Sequence, residues 1–184
     1  MNVTVDIDNV SGDEAPEPDS IQTWVEAAIS GHWAKAKTKA ELGTDTRTQA
    51  ELNIRIVDKA EAAKFNDRYR DKAGATNVLS FPADLPAIVA SPLLGDLVIC
   101  APLVLAEARE QDKQTQAHWA HLIIHGTLHL LGYDHVGEDE AAHMEAIETD
   151  ILSAFSFPPP YAADAGSDDL TLHTTDSGNE NQHP

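Results

Sequence analysis

The chain has 184 residues, enough for one domain with a sizeable core and too few for two full ones. Its 42% hydrophobic and 23% charged residues are ordinary globular usage, which excludes wholesale disorder, and no run approaches the roughly 18 apolar residues of a membrane span. A formal net charge of −19 argues at first against nucleic-acid binding, because polyanion contact draws on Lys and Arg.

In chain order, Val3 to Ile7 alternates like a half-buried strand, and the acidic, Gly- and Pro-containing stretch from about residue 9 to 18 reads as a loop. Ile21, Trp24, Val25, Ala28 and Ile29 recur at helical spacing behind a cap at Asp19 or Ser20. Residues 31–48 lack a pattern and are expected to be irregular or a short helix. Leu52, Ile54 and Ile56 alternate as a strand, and Asp58 with Glu61 resembles a capping box opening a helix that runs to about Tyr69. Asn77 to Phe81 is a strand stopped by Pro82, and Gly95 to Cys100 is another. Cys100 is the single cysteine, read as a packed core thiol. Pro102 suits the first turn of a helix to about Glu110, a histidine-rich helix spans about Thr115 to Leu131, and a last helix spans about Asp139 to Phe155.

Beyond Ala162 the chain has almost nothing large and apolar, so residues 161–184 read as a disordered acidic tail behind a single domain over 1–160. The two ends carry much of the acidity: residues 1–20 hold six acids and residues 159–184 five, with no Lys or Arg in either. Ten of the twelve basic residues fall between Lys35 and Lys72, beside seven acids. A basic surface in an acidic protein follows if those side chains share a face. The N-terminus lacks a basic region followed by an apolar stretch, so a soluble cytoplasmic protein is expected. Interleaved and clustered strands and helices point to an α+β or mixed α/β domain.

Six of the nine histidines lie between residues 118 and 143. On a helix, His125 and His129 project about 40° apart, near enough to chelate one ion. Gly132 suits the left-handed turn that ends a helix, which lets His135 return beneath the same face. The spacing H-x3-H-x2-G-x2-H is that of the metzincin site, and three neutral imidazoles suit one Zn²⁺ with a fourth position left for water. In zinc peptidases the residue after the first histidine is a Glu general base, and here it is Gly126, so hydrolysis would rest mainly on a zinc-activated water. His118, about 20° from His125 in direction and two turns away, lines the cleft or makes a polar contact at the helix start. Asp134 orients a ligand imidazole, takes a proton, or simply serves the turn. His143, His173 and His183 are assigned to surface and tail.

The run His125-Gly-Thr-Leu-His129-Leu-Leu-Gly-Tyr-Asp-His135 resembles the signature of the YbeY family of bacterial endoribonucleases, also described as ribosomal RNA maturation factors. Tyr69-Arg70, Thr76-Asn77-Val-Leu-Ser-Phe-Pro82 and Gly95-Asp96 match its other blocks, over about Leu52 to Tyr161. The loop Asp71-Lys-Ala-Gly-Ala75 departs from the more charged, proline-ending stretch of many relatives. The resemblance implies an α+β single domain with a mixed four-stranded sheet packed on several helices and a zincin-like metal-binding helix and turn. It implies one Zn²⁺ on His125, His129 and His135, and single-strand-specific endoribonuclease activity in ribosomal RNA processing, namely small-subunit rRNA 3′-end maturation and ribosome quality control. It also implies a functional Arg70, which a guanidinium suited to bidentate phosphate binding would satisfy, helped by Lys72. Expected partners are single-stranded RNA and rRNA precursors, with the ribosome or ribosomal proteins, and neither membrane nor DNA. Two alternatives stay open: a zinc-dependent peptidase of metzincin-like geometry, and a non-catalytic ribosome assembly factor with a structural zinc.

Overall fold

A computed structural model describes residues 1–35, 48–85, 91–133 and 137–161. The elements run β1 (Asn2–Asn9), α1 (Pro18–Lys35), β2 (Gln49–Val57), α2 (Lys59–Arg70), β3 (Val78–Pro82), β4 (Leu93–Cys100), α3 (Ala101–Glu110), α4 (Thr115–Leu130) and α5 (Glu138–Ala154). The strands form a mixed sheet in the order β1-β2-β4-β3, with β1, β2 and β4 parallel and β3 antiparallel to β4. This is the α+β class expected from the resemblance.

Period-two patterning decides which face of the sheet is covered. Leu52, Ile54 and Ile56 of β2 turn inward to the main core, while Glu51 and Asn53, alternating with them, stay exposed. Strand β4 keeps Asp96 exposed, but from Leu97 to Cys100 it is apolar and buried on both sides. Leu97 and Ile99 join the core beneath α1, α4 and α5, and Val98 and Cys100 join a smaller cluster with Val57, Ala62 and Leu79 beside α2. Burial raises the Cys100 thiol pKa, as expected of a packed core cysteine.

Several boundaries differ from expectation for local reasons. Helix α1 continues as far as Lys35, into residues expected to be irregular or a short helix, and Gly31 lets it close on α5: a Cβ there would stand 2.8 Å from the Ile151 side chain. Residues 36–47, the rest of that expectation, lie outside the described residues, as does the tail beyond Tyr161. Asp58 caps α2 by accepting from the Glu61 N–H at 2.8 Å, but the Glu61 carboxylate accepts from Arg55 instead of returning to the cap, so only half of the expected box forms. Helix α4 is buried around most of its circumference. No described helix is long and apolar enough to cross a membrane.

Candidate functional site

Helix α4 lies against β3 and β4 at Gly126, where a Cβ would meet Leu97 methyls at 2.9 and 3.2 Å and Ser80 Oγ at 3.4 Å. The Ser80 hydroxyl donates to the Gly126 carbonyl at 3.3 Å. Position 126 therefore holds glycine for close approach. A glutamate, as zinc peptidases carry there, has no room.

Immediately before this contact and about one turn after it the helix presents His125 and His129, partly exposed, with their Nε2 atoms 3.1 Å apart. Their Nδ1 atoms point elsewhere. His129 Nδ1 lies 2.8 Å from the Tyr133 carbonyl, which can only accept, so this nitrogen carries the proton. His125 Nδ1 lies 2.6 Å from Glu148 Oε1 of α5. Glu148 is fully buried, which would raise its pKa, but His121 at 3.7 Å and the hydrogen bonds from His125 and Tyr161 prevail and hold it at about 2. An ionised carboxylate also only accepts. With Nδ1 carrying the proton, the neutral form of each ring leaves Nε2 as its acceptor nitrogen, and the two Nε2 atoms face one another. Two nitrogens on one tetrahedral zinc at 2.0–2.1 Å stand about 3.3 Å apart, close to the separation seen. The donor set fits the ion.

The end of α4 is fixed by its turn. Gly132 has φ +98°, the Gly132 N–H reaches the His129 carbonyl at 3.0 Å, and the Tyr133 N–H reaches the Leu128 carbonyl at 3.1 Å. This paired closure is the left-handed helix stop expected from Gly132. Tyr133 also places its hydroxyl 3.0 Å from His32 Nδ1. Asp134 and His135 lie outside the described residues.

In the same cleft as the imidazole pair, Arg70 at the end of α2 donates from one terminal nitrogen to the Ser80 carbonyl at 3.1 Å. Arg70, Lys72 and the two histidines line one cleft of about 590 Å³, and its described lining residues include no Asp or Glu. The loop carrying Lys72 is clamped where Asn66, itself buried, donates to the Gly74 carbonyl at 2.9 Å. In a chain of net charge −19, this cleft is locally cationic.

His118 is 4% exposed, with Nε2 2.8 Å from Glu107 Oε2, and the same carboxylate accepts from Asn77. This network ties α4 to α3 and the start of β3, which is the polar contact at the helix start among the two roles open for His118. Burial lowers its pKa, partly offset by Glu107. His143, assigned to the surface, is instead half-buried, with its ring 5.9 Å from that of Tyr133. Tyr133 supplies an aromatic partner that local sequence does not announce.

Glu148, Tyr161 and His121 were not singled out as ligand partners by sequence reasoning. Tyr161 donates its hydroxyl to Glu148 Oε2 and lies 3.3 Å from His121 Nε2. Burial and the Glu148 charge raise the Tyr161 pKa. His121, His125 and Glu148 each bring one ligand atom within 4.8 Å of the others, a group that could itself hold a metal ion. The available signal was a carboxylate inside an apolar stripe, since Glu148 falls among Met144, Ile147, Ile151 and Leu152.

A model of the endoribonuclease YbeY family matches residues 6–156. Endoribonuclease YbeY of Pseudomonas entomophila is 47% identical over 161 residues, covering 87% of this chain and 94% of the relative. Endoribonuclease YbeY of Pseudomonas fluorescens is also 47% identical, covering 87% of this chain and 97% of the relative. The solution structure of the Thermotoga maritima protein TM1509 superposes with a TM-score of 0.51 at 18% identity, covering 93% of this chain and 98% of that one, and supports the fold. These matches put the chain among the nucleases, within the hydrolases. It belongs to the endoribonuclease YbeY family.

Proposed function

We propose that the chain is a single-strand-specific endoribonuclease that uses a zinc-activated water, with one Zn²⁺ held by His125 Nε2, His129 Nε2 and His135. Its role on this reading is ribosomal RNA processing in the cytoplasm, at the small-subunit 3′ end and in ribosome quality control, beside the ribosome or its proteins. The observation that carries the reading is the juxtaposition of two unprotonated Nε2 atoms 3.1 Å apart with a cleft wall bearing Arg70 and Lys72 and no described carboxylate. Such a wall suits a phosphodiester and offers no general base of the kind that zinc peptidolysis uses.

When bound, the ion supplies Lewis acidity that makes a water nucleophilic near neutral pH and stabilises negative charge. Arg70 is anchored through one nitrogen to the Ser80 carbonyl, so its remaining N–H groups are oriented to receive a phosphate, and Lys72 adds charge beside it. His129 is oriented by the Tyr133 carbonyl and His125 by Glu148. Attack by water and attack by the neighbouring 2′-hydroxyl leave different end groups on the product, which distinguishes the two routes.

The group of His121, His125 and Glu148 is a second place for an ion, and the pair of Nε2 atoms is favoured over it. The 2.6 Å contact of His125 Nδ1 with Glu148 is a charge-assisted hydrogen bond, tighter than two ligands on one ion allow. The test is metal content measured with cleavage of single-stranded RNA before and after chelation. Cleavage is lost with the metal, returns with Zn²⁺, and is absent from a folded His129→Ala variant. Cleavage that survives complete metal removal refutes the reading.

A further inference from the structure

The buried hydrogen-bonded chain behind the imidazole pair ends in a segment remote in sequence from the histidine helix. Glu148 is 0% exposed and is approached from three sides: by His125 Nδ1 at 2.6 Å, by the Tyr161 hydroxyl, and by His121 Nε2 at 3.7 Å. A carboxylate removed from water needs such partners, and its two oxygens divide them, Oε1 taking His125 and Oε2 taking Tyr161. Tyr161 follows Pro158, Pro159 and Pro160, and this strap is pinned where the Lys113 ammonium donates to the Pro160 carbonyl at 2.9 Å. The Tyr161 ring also meets the His121 ring edge-on, 5.5 Å between centroids. The strap is thus seated on the same buried group that holds His125.

We propose that Glu148 and Tyr161 are positioning residues of the metal centre: Glu148 fixes His125 in the tautomer that turns the Nε2 lone pair toward His129, and Tyr161 holds Glu148 in place. The inference rests on the reading of His125 and His129 as ligands. Removing a partner that orients a ligand histidine typically lowers metal affinity by 10–100-fold, because ring orientation and nitrogen basicity are both lost. Tyr161 acts one bond further away, so its removal lowers affinity less. Because it acts through Glu148, the two effects overlap instead of adding.

The experiment measures Zn²⁺ affinity of the full chain against a chromophoric chelator, with folding checked by circular dichroism of the metal-free protein. Glu148→Gln is expected to weaken Zn²⁺ by about 10–100-fold at unchanged stoichiometry. Tyr161→Phe weakens it by less, and adds little in the Glu148→Gln background. A merely structural role would lower stability and leave the affinity of the folded protein unchanged. Wild-type affinity in both single variants, or fully additive losses, overturns the inference, and if His129→Ala then abolishes binding the proposed ligand pair still stands. Binding retained in His129→Ala and abolished in Glu148→Gln makes Glu148 a ligand and overturns both. Should Glu148→Gln fail to fold, Tyr161→Phe decides: unchanged affinity overturns the inference.

Discussion

Replacing Gly126 with alanine sets two effects against each other whose signs differ. In an unhindered helix the change stabilises by about 1 kcal/mol, because glycine is the poorer helix former. Here the new methyl would lie 2.9 and 3.2 Å from the two Leu97 methyls and 3.4 Å from Ser80 Oγ. Leu97 is fully buried, and its backbone is paired on one side to Ile54 and on the other to Ser80, so it has little room to retreat. Overpacking of this kind costs about 1–3 kcal/mol. The net expectation is a loss of up to about 2 kcal/mol, seen as a Tm lower by about 2–4 °C for each kcal/mol in a chain of this size. Thermal and urea denaturation of the metal-free protein measure it, and metal affinity reports whether the helix has lifted the imidazoles from register. A Gly126→Ala variant more stable than the parent by about 1 kcal/mol would show that α4 and β4 are not in tight contact, and the reasoning would fail.

Truncating Arg70 to alanine removes a charged hydrogen-bonding group from the cleft and should lower RNA cleavage by roughly 10- to 100-fold, with a shallower salt dependence of binding. Arg70→Lys restores charge without the fork and recovers only part; unchanged cleavage and binding in Arg70→Ala would end its proposed role. Asp58→Ala deletes the cap of α2 and should cost about 1 kcal/mol in urea denaturation, and an unchanged midpoint would contradict it. His118, whose pKa burial lowers, binds a proton more readily in the unfolded chain, so its contribution to stability is complete above an ordinary histidine pKa of about 6.5 and is lost as pH falls below that value. His118→Gln should therefore lose less stability than the parent on going from about pH 7 to about pH 5, and an equal or larger loss counts against the burial argument.

What was legible in the sequence was what repeats locally. The inward and outward alternation of β2, the His125 and His129 pair on one helical face, and the left-handed stop at Gly132 all follow from spacing along a single element. Gly126 was legible as a missing base, but the reason for glycine there was not, because Leu97 and Ser80 reach it from other strands. Glu148 shows in the sequence as a carboxylate in an apolar stripe, but its role does not, for the same reason: its partners are His125 on α4 and Tyr161 after α5, and no periodicity links the three. The extension of α1 to Lys35 depends on Ile151 filling the space above Gly31, a contact across more than a hundred residues. Where a residue's role is set by another element, spacing along the chain carries no record of it.

Tyr133 joins two jobs that proteins often keep apart. Its amide closes the last turn of α4, and its carbonyl receives the Nδ1 proton of His129. Unwinding that turn therefore releases the ring at the same moment, without any loosening of the sheet or core. If His129 is a ligand, as proposed, the lifetime of a bound ion would be linked to the fraying of a few residues, a much faster and cheaper event than global unfolding, and metal would exchange in a chain that stays folded.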